Sequence, residues 1–134
     1  MSIELVRFSA RSTQPALRVI IATTEAERTA CYQLRARIYV DELGILPPDH
    51  PYVTERGLVD PYDAHSTQLL LLAGDQPIGT ARLTQAADGP LEMEEYIDLD
   101  AVGRDRAALA DGTRFMVHRA VSYTHLTLPT IQPV

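Results

Sequence analysis

Three arginines, Arg35, Arg82 and Arg114, fall in stretches patterned for regular structure, and two aspartates, Asp60 and Asp63, sit three apart in a stretch that is not. A guanidinium fork set against a carboxylate makes bidentate, strongly directional contacts. A site carrying both signs suits a ligand that itself carries both. Asp111 adds a carboxylate able to take a proton from an amine, directly or through water. Each residue also has a plainer reading. Asp60 and Asp63 flank Pro61, which is ordinary turn chemistry. Arg35 can be a helix-surface residue partnered with Asp41 or Glu42, a contact that contributes little. Asp111-Gly112 can be only a turn before a strand, and the acidic run Glu92, Glu94, Glu95 and Asp98 is most simply a solvated face. Arg82 is harder to explain blandly, because a charge inside an apolar hairpin needs a partner. Cys31, among apolar helix positions, reads as core. His50, His65 and His118 share no metal-ligand spacing, so no metal site is expected.

The elements that must position these residues follow from periodicity. Residues 1–16 read as a lead-in, and Leu17 to Ala22 is a β-branched apolar run that predicts a strand. Thr24 and Glu27 have capping-box spacing and open a helix expected to run to about Val40, with Ala30, Leu34 and Ile38 on one face. From Leu43 to His65 glycines and prolines punctuate a loop of a length that tends to be functional. Thr67 to Ala73 and Ile78 to Thr84 predict a hairpin around Gly74-Asp75-Gln76-Pro77. Leu91 to Ala110 reads as one or two short helices, and Thr113 to Ala120 as a further strand.

A chain of 134 residues has room for one domain. The apolar run at Leu69 to Ala73 is far too short to cross a bilayer, and the first residues lack the apolar centre of a signal peptide, so the cytoplasm is expected. The net charge of −6 lacks the basic footprint of non-specific nucleic-acid binding. A single cysteine excludes an internal disulfide.

Strand, helix, long loop, hairpin, helical stretch and strand is the order in which the GNAT acyltransferase fold begins, and Gln76 to Leu83 resembles its second and third strands. More specific blocks resemble the acyl-homoserine-lactone autoinducer synthases and the related N-acyl amino acid synthases. In Leu34 to Gly44, Arg35 falls on the family arginine and Tyr39 on its aromatic position. Gly57 to Asp63 resembles the Asp-x-x-Asp signature through Asp60 and Asp63. Arg82 matches the arginine of the third strand, and Asp111 to Phe115 resembles a Glu-x-x-Arg-Phe block, with Asp111 in place of glutamate. The resemblance spans roughly residues 17 to 120. It implies an α/β, GNAT-like, mainly antiparallel sheet flanked by helices. It implies catalytic roles for Asp111 and Arg82, and substrate contacts from Arg35, Tyr39, Asp60, Asp63 and Arg114. The thioester carbonyl would meet backbone amides near Met116 and Val117, an oxyanion-type arrangement. No permanently bound cofactor is implied; acyl-CoA or acyl carrier protein is a co-substrate and a small amine the acceptor. Ile45 stands where lactone synthases carry tryptophan, and this together with Asp111 points away from a lactone product toward N-acyl amino acids or another long-chain acyl product. An N-acetyltransferase using acetyl-CoA, or a non-catalytic ligand-binding domain on the same fold, are the other readings. A narrow acyl pocket would favour the first, and dispersal of Arg35, Asp60, Asp63 and Arg82 over the surface the second.

Residues 121–134 carry no charged side chain, and Val121 to Ile131 resembles the in-frame translation of a transposon-end sequencing adapter. These residues are therefore expected to be a non-native tail, and Tyr123, Thr124 and His125 are not read as catalytic. The resemblance implies a glycine-rich, phosphate-binding turn after Ala120. Its absence leads to the expectation of a fold truncated after the fourth strand, marginally stable and inactive, with Phe115, Val117 and one face of Leu69 to Leu72 partly exposed.

Overall fold

A computed structural model describes residues 3–8 and 16–118. Strands β1 (Ile3–Phe8), β2 (Leu17–Ile21), β5 (Ser66–Ala73), β6 (Gln76–Gln85) and β7 (Ala110–Val117) form one sheet, with a two-stranded ribbon, β3 (Val53–Thr54) and β4 (Gly57–Leu58), inserted between β2 and β5 in the sequence. The sheet order is β1-β2-β5-β6-β7 and every pairing is antiparallel. With one α-helix among the described residues on one face, this is the mixed α/β, mainly antiparallel arrangement that the GNAT resemblance implies.

Period-two alternation explains how the sheet divides its residues. Gln68, Leu70 and Leu72 of β5 and Ile78, Thr80, Arg82 and Thr84 of β6 are buried toward the helix. Leu70 and Leu72 pack with Ile20, Ala22, Cys31 and Tyr32 into the main core, each buried leucine contributing about 1.5–3 kcal/mol. Leu69, Leu71 and Val117 are half-buried on the opposite face, and Phe115 there is 72% exposed, as the sequence predicts. Among the described residues no helix is long and apolar enough to cross a membrane.

The helix α1 (Glu25–Ala36) starts at the predicted capping box: Glu27 N–H donates to Thr24 Oγ1 and Thr24 N–H to Glu27 Oε1, both at 3.1 Å. It does not continue unbroken to Val40. Arg37–Glu42 winds wider, with Leu43 N–H donating to Ile38 O five residues back at 2.8 Å. Such π-turns frequently mark functional sites. This one keeps Ile38 buried and sends Tyr39 and Glu42 toward β7.

Four other segments differ from the expectation. The lead-in holds β1, paired with β2 but exposed at all six positions, so burial left no alternation to read. The long loop contains the β3–β4 ribbon and a 3-10 turn at Asp63–His65. Leu91 to Ala110 folds as three 3-10 turns (Glu92–Glu95, Leu99–Val102 and Arg106–Ala108) rather than helices. Its apolar residues serve only a small second core of Ala86, Leu91 and Leu99, too sparse for a helical stripe. β7 begins at Ala110, so Asp111 and Gly112 lie in the strand instead of a turn before it. The expectation placed on residues 121–134 lies outside the described residues.

Gly57 is where the ribbon meets α1. Its φ is +113°, and a Cβ there would overlap the Tyr32 carbonyl and lie 2.5 Å from Gln33 N. Gly57→Ala should therefore destabilise the fold by roughly 2–5 kcal/mol, combining backbone strain with a forced separation of ribbon and helix. A urea unfolding curve should show a lower midpoint at unchanged slope.

Candidate active site

Arg35 and Arg82 are fully buried, one from α1 and one from β6, and an arginine cannot shed its charge to suit such a place. The loop between β4 and β5 supplies the counter-charges. Arg35 Nη1 donates to both oxygens of Asp63, at 2.8 and 3.0 Å, and to Leu58 O at 3.3 Å. Its Nη2 reaches Gln68 Oε1, and Gln68 Nε2 in turn donates to Asp63 Oδ1 at 3.0 Å. Arg82 Nη1 donates to Asp60 Oδ1 at 2.6 Å and Asp63 Oδ1 at 3.1 Å. Its Nε bonds Thr113 Oγ1 at 3.0 Å, and its Nη2 reaches Glu92 Oε2 at 2.5 Å. The turn chemistry of Asp60-Pro61-Tyr62-Asp63 is real as well. Tyr62 N–H donates to Asp60 Oδ1 at 2.9 Å and Asp60 N–H to Asp63 Oδ2 at 2.8 Å. The same carboxylates shape the loop and neutralise the arginines.

Arg114 joins from β7 by way of a bulge. Thr80 pairs with Met116 and Arg82 with Thr113, so Arg114 and Phe115 together oppose Ala81 alone. Arg114 takes a φ of +58°, a conformation costing about 1–3 kcal/mol for a non-glycine residue. The extra residue breaks the alternation. Thr113 and Arg114 both make contacts on the α1 side, whereas Phe115 lies with Gly112 on the other, its ring 3.1 Å from where a Gly112 Cβ would sit. Arg114 Nη2 donates to Asp60 Oδ2 at 2.9 Å and lies 3.4 Å from Glu92 Oε1, with the guanidinium 5.6 Å from the centre of the Tyr39 ring.

The segment carrying Glu92 is pinned at several points. Leu91 is buried, Arg106 holds Glu94 through both carboxylate oxygens at 2.5 and 2.7 Å, and Tyr62 OH donates to Glu95 Oε2 at 2.8 Å. The Arg106 hydrogen bonds and the Leu91 N–H lower the Glu94 pKa to about 2, and the Glu95 contact pushes Tyr62 up to about 12.

On the sheet face opposite α1 lies an apolar groove of about 510 Å³, lined by Val19, Leu69, Leu71, Gly79, Thr80, Ala81, Phe115, Met116 and Val117. Met116 and Val117, the residues expected near the donor carbonyl, are therefore at its wall.

Arg35, Asp60, Asp63, Arg82 and Arg114 thus converge, with Tyr39 against Arg114. The surface partnership of Arg35 with Asp41 or Glu42 does not occur; Arg35 is buried on Asp63, and Glu42 lies 3.1 Å from His118 Nε2. Asp111 stands apart. It is buried, accepts from Met93 N–H at 3.2 Å, and pairs with no cation among the described residues. Glu92 was hidden in what reads as a solvated acidic face; the neighbouring Gly89-Pro90-Leu91, a turn followed by an apolar anchor, was the available signal. Gln68 and Thr113, polar residues at inward strand positions, offered a similar one.

The sequence matches the family of the N-acyl amino acid synthase FeeM over residues 30–132. The chain belongs to this family. It is accordingly an acyltransferase of the N-acyl amino acid synthase type, and the match takes in every residue of the charged cluster and the groove wall from Leu69 onward. It also runs through 121–131, outside the described residues. No curated protein and no solved structure matches the chain.

Two outcomes follow for the N-acyl amino acid synthase cluster. Asp63→Asn leaves the buried Arg35 without a carboxylate partner and should cost roughly 3–5 kcal/mol in chemical denaturation. Burial alone would raise the Asp60 pKa, but hydrogen bonds from Arg82 and Arg114 outweigh it and hold the group below its ordinary 3.8. Its stabilisation is therefore complete above that value and lost as pH falls through the lower native one. Acid unfolding followed by circular dichroism should show this loss, and Asp60→Asn should flatten that part of the curve.

Proposed function

We propose that this synthase moves an acyl group from a thioester, on CoA or an acyl carrier protein, to the amine of an amino-acid-like acceptor. The observation that carries the reading is the meeting of two unlike surfaces at β7. The apolar groove lies on one face, the charged Arg114–Glu92 rim lies on the other, and the Arg114 bulge sits between them. An acyl chain belongs in the first and a doubly charged acceptor at the second. The groove is open along the sheet face and its walls are mainly apolar, which suits an alkyl chain rather than a charged group.

In this reading the acceptor amine, once neutral, attacks the thioester carbonyl carbon. The C–N bond forms, the C–S bond breaks, and the thiol leaves with a proton. Backbone N–H groups near Met116 and Val117 would stabilise the developing oxyanion. Asp111, two residues before Thr113 on the same side of β7, would take the amine's proton through water. Arg82 is enclosed by Asp60, Asp63, Glu92 and Thr113, so its part is to hold Glu92, the partly exposed carboxylate among these, in place.

The test is thiol release from acyl-CoA and acyl carrier protein substrates of two to sixteen carbons, with each common amino acid as acceptor and mass spectrometry of the product. Long-chain N-acyl amino acids are expected. Transfer confined to acetyl would overturn the reading, whereas no transfer with any pair is what the expected inactivity of this chain predicts. Phe115→Asp, which charges the groove wall, should raise KM about tenfold or more for long-chain donors, and more than for short ones.

A further inference from the structure

The charged cluster divides into two layers of unequal exposure. The inner four side chains, Arg35, Asp63, Arg82 and Asp60, balance two charges of each sign and are 0%, 1%, 0% and 3% exposed. The outer two, Arg114 and Glu92, balance one of each and are 22% and 21% exposed. Each outer residue has its own inner anchor: Asp60 Oδ2 holds Arg114 at 2.9 Å, and Arg82 Nη2 holds Glu92 at 2.5 Å. Their contact with each other, at 3.4 Å, is the longest ion pair of the cluster. Opening it would leave both residues tethered in place and present a guanidinium beside the Oε1 of a carboxylate. A free α-amino acid carries the complementary two poles on one carbon.

We propose that Glu92 and Arg114 form a two-pole receptor for the acceptor, Glu92 taking the ammonium and Arg114 the carboxylate of a free amino acid. This rests on the amino-acid reading of the acceptor and adds to it a residue, Glu92, that fixes where the nucleophilic nitrogen lies. Glu92 is then a specificity-determining residue that selects an unblocked amine, and Arg114 one that selects an unblocked carboxylate. The inner layer keeps them apart in charge and fixed in space, so a ligand replaces only their weakest bond.

The experiment is binding without any acyl donor. The common amino acids are titrated into the full chain by calorimetry, and the tightest binder is compared with its deaminated acid and its decarboxylated amine. The wild type should bind the zwitterion more tightly than either one-pole analogue. Glu92→Gln should weaken the amino acid and the amine by about 10- to 100-fold, the range of a lost charge-assisted contact. It should leave the deaminated acid as tight or tighter, because Arg114 no longer shares its charge with Glu92. Arg114→Gln should do the reverse, and it decides the matter alone if thermal melts show Glu92→Gln unfolded. Equal weakening of all three ligands, or no amino acid binding at all, would overturn the proposal. Should the pattern appear while transfer is confined to acetyl, the long-chain reading falls and the receptor stands. Transfer without the pattern does the opposite.

Discussion

Burying a guanidinium dictates structure more strictly than burying any apolar side chain. Arginine does not lose its proton at any ordinary pH, so each buried one demands a carboxylate at a set distance and angle. Here Arg35 and Arg82 impose that demand from two different elements, α1 and β6, and a single residue, Asp63, answers both. The path of the loop between β4 and β5 follows from it. Asp63 must lie between helix and sheet, which turns the chain at Pro61, brings Asp60 onto Arg82, and leaves Asp60's second oxygen to reach β7. The glycine at 57 is needed because that loop, drawn so close, brings its ribbon against the backbone of α1.

A conformational cost is offset at the other end of the same chain of contacts. Arg114 sits in a left-handed conformation that a non-glycine residue avoids, and Asp60 together with the Tyr39 ring holds it there. The bulge lets consecutive residues of β7 serve one side of the sheet, Thr113 bonding Arg82 and Arg114 bonding Asp60. An unbroken strand would have sent one of them into the apolar groove with Phe115. One extra residue thus keeps the charged and apolar surfaces on opposite faces.

The capping box at Thr24, the hairpin and the convergence of the arginines and aspartates were legible because they depend on local spacing or on family order. The features that were not legible depend on tertiary context. Nothing local in Arg37–Glu42 distinguishes a widened turn from α-helix; it appears once Tyr39 has a guanidinium to meet. Arg114 reads as an ordinary strand residue until its register against β6 is known. Glu92 looks solvated because its neighbours Glu94 and Glu95 are bound to Arg106 and Tyr62 rather than to the cluster, and the run has no single face. β1 gave no pattern because neither of its faces is buried.

The network has a consequence for how the chain folds. Its ion pairs link residues 28 apart (Arg35 and Asp63), 22 apart (Asp60 and Arg82) and 54 apart (Asp60 and Arg114). None can form before those loops have closed, so their closure entropy is spent before any charge is neutralised. Arg82 and Arg114 must stay hydrated until β7 docks, whereas Arg35 is enclosed by partners on β4, β5 and the loop between them. The Arg82–Asp60–Arg114 side of the cluster is therefore the last part to dry, and its ion pairs should contribute little to the folding rate while slowing unfolding. These pairs should act as a kinetic lock, closed by the strand that also carries the bulge.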